Sequence, residues 1–214
     1  MKAIIFDFNG TLFSDDAFHY KAWNRILQEL TGERLTQELL MKMQGKNNQQ
    51  IIAMIAPGLK EEESFAYSLK KEDYYREACL KHPEALSLVK GATDLFKELQ
   101  EDSIPFTIVT ASIEDNIDFF FDVFTLDHWF DPHKVIYDDG RFANKKDMFT
   151  YAIKCLGTTS KDVIVFEDSH AGIQYALEAG IKHIVGVGSK DRFPALRSMG
   201  VETCISDFTQ WKRR

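Results

Sequence analysis

The 214-residue chain predicts an α/β fold: a parallel sheet with crossover helices, broken once by an all-helical insertion. Three observations predict it. Strand-length apolar runs recur at residues 3–8, 106–110, 163–166 and 183–187. The last three are separated by segments of helical spacing, the alternation of a βαβ pattern. And roughly 70 residues, from Ser14 to about Pro83, pass without a convincing strand.

The first run, 3–8, is short, apolar and bounded by polar residues, as strands buried on both faces are in doubly wound sheets. The insertion follows. Ala17, Ile26, Leu27 and Leu30 form a helical stripe that Thr31-Gly32 ends, and Thr36 is placed to cap a second helix running to Gln44. Gly45 and Pro57-Gly58 punctuate, and 61–81 reads as one long helix. Beyond it, 92–101, 113–121, 145–156 and 170–179 supply the crossover helices, with Gly157 and Gly180 as C-terminal stops. The expected division is a core of 1–13 and 84–214 and a helical domain of 14–83, joined by linkers at 13–15 and 82–89.

With 44% hydrophobic and 28% charged residues the chain has the balance of a folded globular protein rather than a disordered one. Its apolar runs fall far short of the roughly 20 residues of a membrane span. The residues after Met1 enter a strand directly instead of a secretion signal, so a cytoplasmic location is expected. Cys79, Cys155 and Cys204 lie far apart, with neither CxxC spacing nor a histidine cluster, and are expected to be buried free thiols. A net charge of −7 disfavours nucleic acid, and a small ligand is expected.

The chemistry is expected where strands end. Asp7, in Asp7-Phe8-Asn9-Gly10-Thr11, closes the first strand and points to the crevice where open α/β sheets bind ligands. Taken alone it is a nucleophile, a metal ligand or a turn former. Thr110-Ala111-Ser112 offers a hydroxyl and successive N–H groups ahead of a helix, an anion site or simply a cap. Lys145-Lys146 opens a helix after Asp138-Asp139-Gly140, either as a phosphate cation or as a solvated pair. Glu167-Asp168 puts adjacent acids at a strand end, which suits Mg²⁺, a hard cation.

Together these segments resemble the haloacid dehalogenase-like (HAD) superfamily, in its β-phosphoglucomutase-like branch. The likeness runs over nearly the whole chain, from Asp7-Phe8-Asn9-Gly10-Thr11-Leu12 onward. Its most specific segment is Phe166-Glu167-Asp168-Ser169-His170-Ala171-Gly172-Ile173-Gln174, followed by Ala179-Gly180. The resemblance implies a Rossmann-like core with an inserted helical cap. It implies Asp7 as the nucleophile that becomes a phosphoaspartate, and Thr110, Ala111 and a lysine as holders of the phosphoryl oxygens. Mg²⁺ would be held by Asp7, the carbonyl of Asn9, Glu167 and Asp168. The family's lysine falls near Ala143, so the role passes to Lys145, or to Lys146. In the cap, His19, Gly45 and Lys70 match substrate positions of the mutase, whereas the mutase arginine falls on Asn48.

One departure bears on function. Phosphatases and mutases of this group carry an aspartate two residues after the nucleophile to exchange a proton, and here that residue is Asn9, an amide that cannot. The expected activity is a Mg²⁺-dependent phosphatase of a small phosphorylated metabolite, slowed by Asn9 or served by another proton-transfer group. The alternatives are a phosphometabolite-binding or regulatory protein, a C–P or carbon–halogen hydrolase, for which Lys46 is a loose Schiff-base candidate, and a phosphomutase.

Overall fold

The computed structural model describes residues 2–43 and 46–212, which divide into two units, 1–14 with 87–214 and 15–86. In chain order the principal elements are β1 (Ala3–Phe6), α1 (Asp16–Thr31), α2 (Gln37–Met43), α3 (Asn48–Ile55), α4 (Glu61–Leu80), α5 (Ala92–Glu101), β2 (Phe106–Ile108), α6 (Glu114–Phe124), α7 (Lys145–Cys155), β3 (Val163–Glu167), α8 (His170–Glu178), β4 (His183–Val187), α9 (Phe193–Ser198) and β5 (Thr203–Ile205).

The sheet is parallel in every pairing, with five strands among the described residues in the order β2-β1-β3-β4-β5. β1 is buried at all four positions, so alternate side chains serve two separate cores. Ala3 and Ile5 join Val163 and Val165 in a mainly aliphatic core that also takes in Phe149, Ile173 and Leu196. The other face is aromatic. Phe6 stacks on its register partner Phe166 at 5.1 Å and meets Phe96 and Phe208 edge-on, at 5.3 and 5.9 Å.

Chain direction reverses within this order. From β1 the chain passes to β2 on one side, and from β3 it passes to β4 on the other. The loops leaving β1 and β3 therefore diverge and open a crevice beyond the carboxyl ends of these neighbours, the position where such sheets bind ligands.

The 15–86 unit is helical throughout its named elements and has its own core. The expected stripe on α1 is corrected: Phe18, Ala22, Trp23, Ile26 and Leu27 are buried, Ala17 is exposed and Leu30 is half-buried. The buried set follows i, i+4, i+8 from Phe18, one position later than a stripe begun at Ala17. Gly32 ends α1 in the left-handed region at φ 76°, and Thr36 Oγ1 accepts the Leu39 N–H ahead of α2. The thiols differ from expectation too, since Cys79 alone is buried, Cys204 is half-buried and Cys155 is exposed on the last turn of α7. No helix among the described residues is long and apolar enough to cross a membrane.

Candidate active site

Asp7 follows β1 directly and is fixed by its backbone, whose N–H donates to the Phe166 carbonyl at 2.9 Å. Its loop turns back at once. The N–H groups of Thr11, Leu12 and Phe13 all donate to the Phe8 carbonyl, and Gly10, at φ 75°, donates to the Phe13 carbonyl. Only glycine suits position 10, because a Cβ there would lie 2.3 Å from Asp168 Oδ2 as well as in the left-handed region.

Asp7, Glu167 and Asp168 are all buried, and one oxygen from each lies within 4.8 Å of the others. Lys145, on the first turn of α7, donates to Asp7 Oδ1 at 2.6 Å and to Glu167 Oε1 at 2.9 Å. Lys146, one residue on, is exposed. Glu167 is otherwise saturated: its Oε2 accepts the Asp168 N–H at 2.8 Å, and its Oε1 accepts the Ser169 hydroxyl at 3.1 Å. That packing explains Gly172, where a Cβ would fall 1.4 Å from Glu167 Oε1.

Three buried acids around one lysine leave unbalanced negative charge. Burial, then Glu167, pushes the Asp7 carboxyl up to about 7 against the opposing pull of Lys145. Burial, then Glu167 and Asp7, pushes Asp168 well above its ordinary range. Lys145 is raised, because the carboxylates of Asp7 and Glu167 outweigh the burial that would lower it. An all-oxygen donor set whose members resist ionising together fits a hard divalent cation.

Asn9 and Thr110 meet at the ends of β1 and β2. Asn9 Oδ1 accepts hydrogens from Ser112 Oγ at 2.6 Å and Thr110 Oγ1 at 3.4 Å. The helix expected over 113–121 is α6, which starts at Glu114 with Ile113 as its N-cap, so Thr110 stands in the loop ahead of it and not on its first turn. Thr110 Oγ1 instead accepts the Ser112 N–H, forming a local turn, and Ala111 lies exposed in the same loop.

Two core residues escaped sequence reasoning. Arg192, the N-cap of α9, donates to the Asp168 carbonyl at 3.2 Å and to Oδ2 at 3.3 Å. The signal was there, since β4 also ends at this edge of the sheet and Arg192 follows it by five residues. Ser169 is the second, capping α8 through the Gly172 N–H while its hydroxyl holds Glu167.

Within the helical unit, His19 stacks on Tyr75 at 4.3 Å between two partners. Its Nε2 lies 3.2 Å from Asp15 and its Nδ1 2.8 Å from Lys71 Nζ. Lys70 faces elsewhere, half-buried and paired with Glu29 at 2.6 Å, so the lysine that meets His19 is Lys71. Lys71 lies on the buried face of α4 with Tyr75, Ala78 and Cys79, at i, i+4, i+7 and i+8. Asn48 donates to Glu72 at 2.6 Å, Lys46 is exposed, and Gly45 lies outside the described residues.

A parallel sheet that presents an aspartate, two further acids and a lysine at its switch point is the frame of a carboxylate-based hydrolase. Comparison agrees: the model of the haloacid dehalogenase-like hydrolase family matches residues 4–186, and the chain belongs to that family. A crystal structure of a HAD hydrolase, family IA, variant 3, from Entamoeba histolytica is similar with a TM-score of 0.91 and 33% identity, over 99% of this chain and 96% of that one. The plasmid protein CbbY of Cupriavidus necator is 29% identical over 86% of this chain and 78% of its own length. The phosphorylated carbohydrates phosphatase of Thermotoga maritima is 23% identical over 87% and 85%.

Proposed function

We propose that the protein is a Mg²⁺-dependent phosphatase of small phosphorylated metabolites, working through an aspartyl phosphate on Asp7. The observation that carries this reading is the buried cluster of Asp7, Glu167 and Asp168 threaded by Lys145. A carboxylate nucleophile splits one difficult displacement into two easier ones. Asp7 would attack phosphorus while Lys145, Thr110 and the backbone at Ala111 hold the phosphoryl oxygens. Glu167, saturated by hydrogen bonds, would orient Lys145, and Asp168 with the Asn9 carbonyl would complete the metal site beside Asp7. When bound, Mg²⁺ would supply the positive charge that lets a carboxylate approach a phosphate dianion. Residues 15–86 would serve as the cap controlling access to substrate. The phosphatase name of the Thermotoga relative supports the substrate class.

The test is thermal stability with Mg²⁺ and beryllium fluoride, a mimic of the aspartyl phosphate, in wild type and Asp168→Ala. A ligand at 100 times its dissociation constant stabilises by about 2.7 kcal/mol, a shift of roughly 5–10 °C for a chain of this size. Wild type should show it and Asp168→Ala should lose most of it. Equal shifts would remove Asp168 from the site. Asn9 favours a second reading, a phosphometabolite-binding protein, which predicts the same shift with no turnover of any phosphorylated substrate.

A further inference from the structure

Glu167 and Asp168 are adjacent acids held in different ways. Glu167 takes its donors from Lys145 and from the turn that follows it. The Asp168 carboxylate takes its hydrogen bond, among the described residues, from Arg192, on the segment that leaves β4. One nitrogen bonds Asp168 twice, since Arg192 Nη2 donates to the carbonyl at 3.2 Å and to Oδ2 at 3.3 Å. A donor shared between the backbone and the carboxylate of one residue closes a ring through its Cα and Cβ, and so restrains both rotors of that side chain. Gly10 stands against the same oxygen, because a Cβ there would lie 2.3 Å from Oδ2. The carboxylate is bracketed between the loop that carries Asp7 and the arginine. Arg192 itself stands at the N-terminus of α9, but its side chain does not cap that helix. Its stem runs past Gly188 instead, where an added Cβ would lie 3.7 Å from Arg192 Cδ.

We infer that Arg192 is a positioning residue of the metal site, holding the Asp168 carboxylate in the orientation that receives the cation. The inference rests on the reading of Asp7, Glu167 and Asp168 as a Mg²⁺ site given above. Two effects of opposite sign meet at this arginine. Its positive charge repels a divalent cation, whereas its hydrogen bonds spare the cation the cost of ordering a ligand. Exposure decides between them. The Arg192 side chain is 38% exposed and that of Asp168 only 11%. Water and salt screen the repulsion from a charge so exposed, while the hydrogen bonds act on a carboxylate that is buried. Orientation prevails, so removing Arg192 weakens Mg²⁺ binding instead of strengthening it.

The readout is Mg²⁺ affinity, measured by titration calorimetry on the full chain with Mg²⁺ alone, in wild type, Arg192→Met and Arg192→Lys. Methionine keeps an apolar stem and removes the donors. Lysine keeps one charged nitrogen, which suffices for both bonds because a single arginine nitrogen makes them. Arg192→Met should raise the dissociation constant about 10–100-fold, the usual cost of losing a partner that orients a metal ligand. Arg192→Lys should recover most of that loss. Equal or tighter Mg²⁺ binding by Arg192→Met overturns the inference, because repulsion would then outweigh orientation. A lysine variant as weak as the methionine one overturns it too, since the arginine would then act through its bulk and not through the bonds to Asp168. Arg192→Gln, whose amide falls short of both oxygens, replaces Arg192→Met if that variant does not fold, with the same outcomes. A wild type that binds no Mg²⁺ would count against the metal-site reading itself and remove this inference with it.

Discussion

Burial sets the state of Asp7 before any ligand arrives. Its carboxyl is raised from 3.8 to about 7 by burial, with Glu167 adding and Lys145 opposing. A carboxyl raised in the folded state contributes stability that is complete below its unfolded value and lost as pH rises through the folded one. The metal-free protein should therefore lose stability from about pH 4 to about pH 7. Across three units this amounts to a few kcal/mol, in order of magnitude, at 1.36 kcal/mol per unit. Mg²⁺ should restore more stability at pH 8, where Asp7 is ionised, than at pH 5, where the ion must displace a proton. Denaturation midpoints at both values, with and without Mg²⁺, check this, and a Mg²⁺ effect larger at pH 5 would contradict it. At this scale the sequence was informative wherever a side chain closes a strand, as at Asp7, Glu167 and Asp168. The signals at Arg192 and Ser169 went unread, because the importance of both comes from what they touch.

Helix α4 shows how an element can carry a buried ion pair. Lys71 and Glu72, adjacent and both buried, meet at 2.9 Å, and Asn48 on α3 adds a further donor to Glu72. Burial opposes ionisation of Glu72, but Lys71, His19 and these hydrogen bonds outweigh it and lower the carboxyl to about 2. A lowered carboxyl contributes stability above its unfolded value, 4.5, that is lost as pH falls through about 2. Glu72→Gln should therefore cost on the order of 3 kcal/mol at pH 7, and the cost should shrink between about pH 4.5 and pH 2. Urea denaturation of both proteins at pH 7 and pH 3 measures it; an equal cost at the two values would refute the charge account. The sequence missed this pair because a polar residue on a long polar helix reads as solvated. It also missed α3, although Asn47 and Gln50 form a capping box, an Asn-x-x-Gln signal obscured by the neighbouring Gly45 and Pro57. β5, three residues flanked by polar ones, carries too little periodicity to be read.

For the molecule as a whole, the order of strands was the decisive thing that no local pattern contained. Four of the five strands were legible as apolar runs, yet nothing in them says that β1 lies between β2 and β3. Tertiary pairing supplies that, and with it the convergence of residues 7, 145 and 168 on one crevice. The helical insertion was legible because its length broke the βαβ rhythm, and the two units divide at 14/15 and 86/87. Everything proposed for function rests on Asp7 accepting a phosphoryl group at that crevice. The direct measurement is acid quenching of the protein after brief exposure to acetyl phosphate, followed by peptide mass mapping, in wild type and Asp7→Asn, with and without Mg²⁺. The account predicts a phosphoryl group on the peptide containing Asp7, in wild type and only with Mg²⁺. Phosphorylation elsewhere, its persistence in Asp7→Asn, or its independence of Mg²⁺ would contradict it.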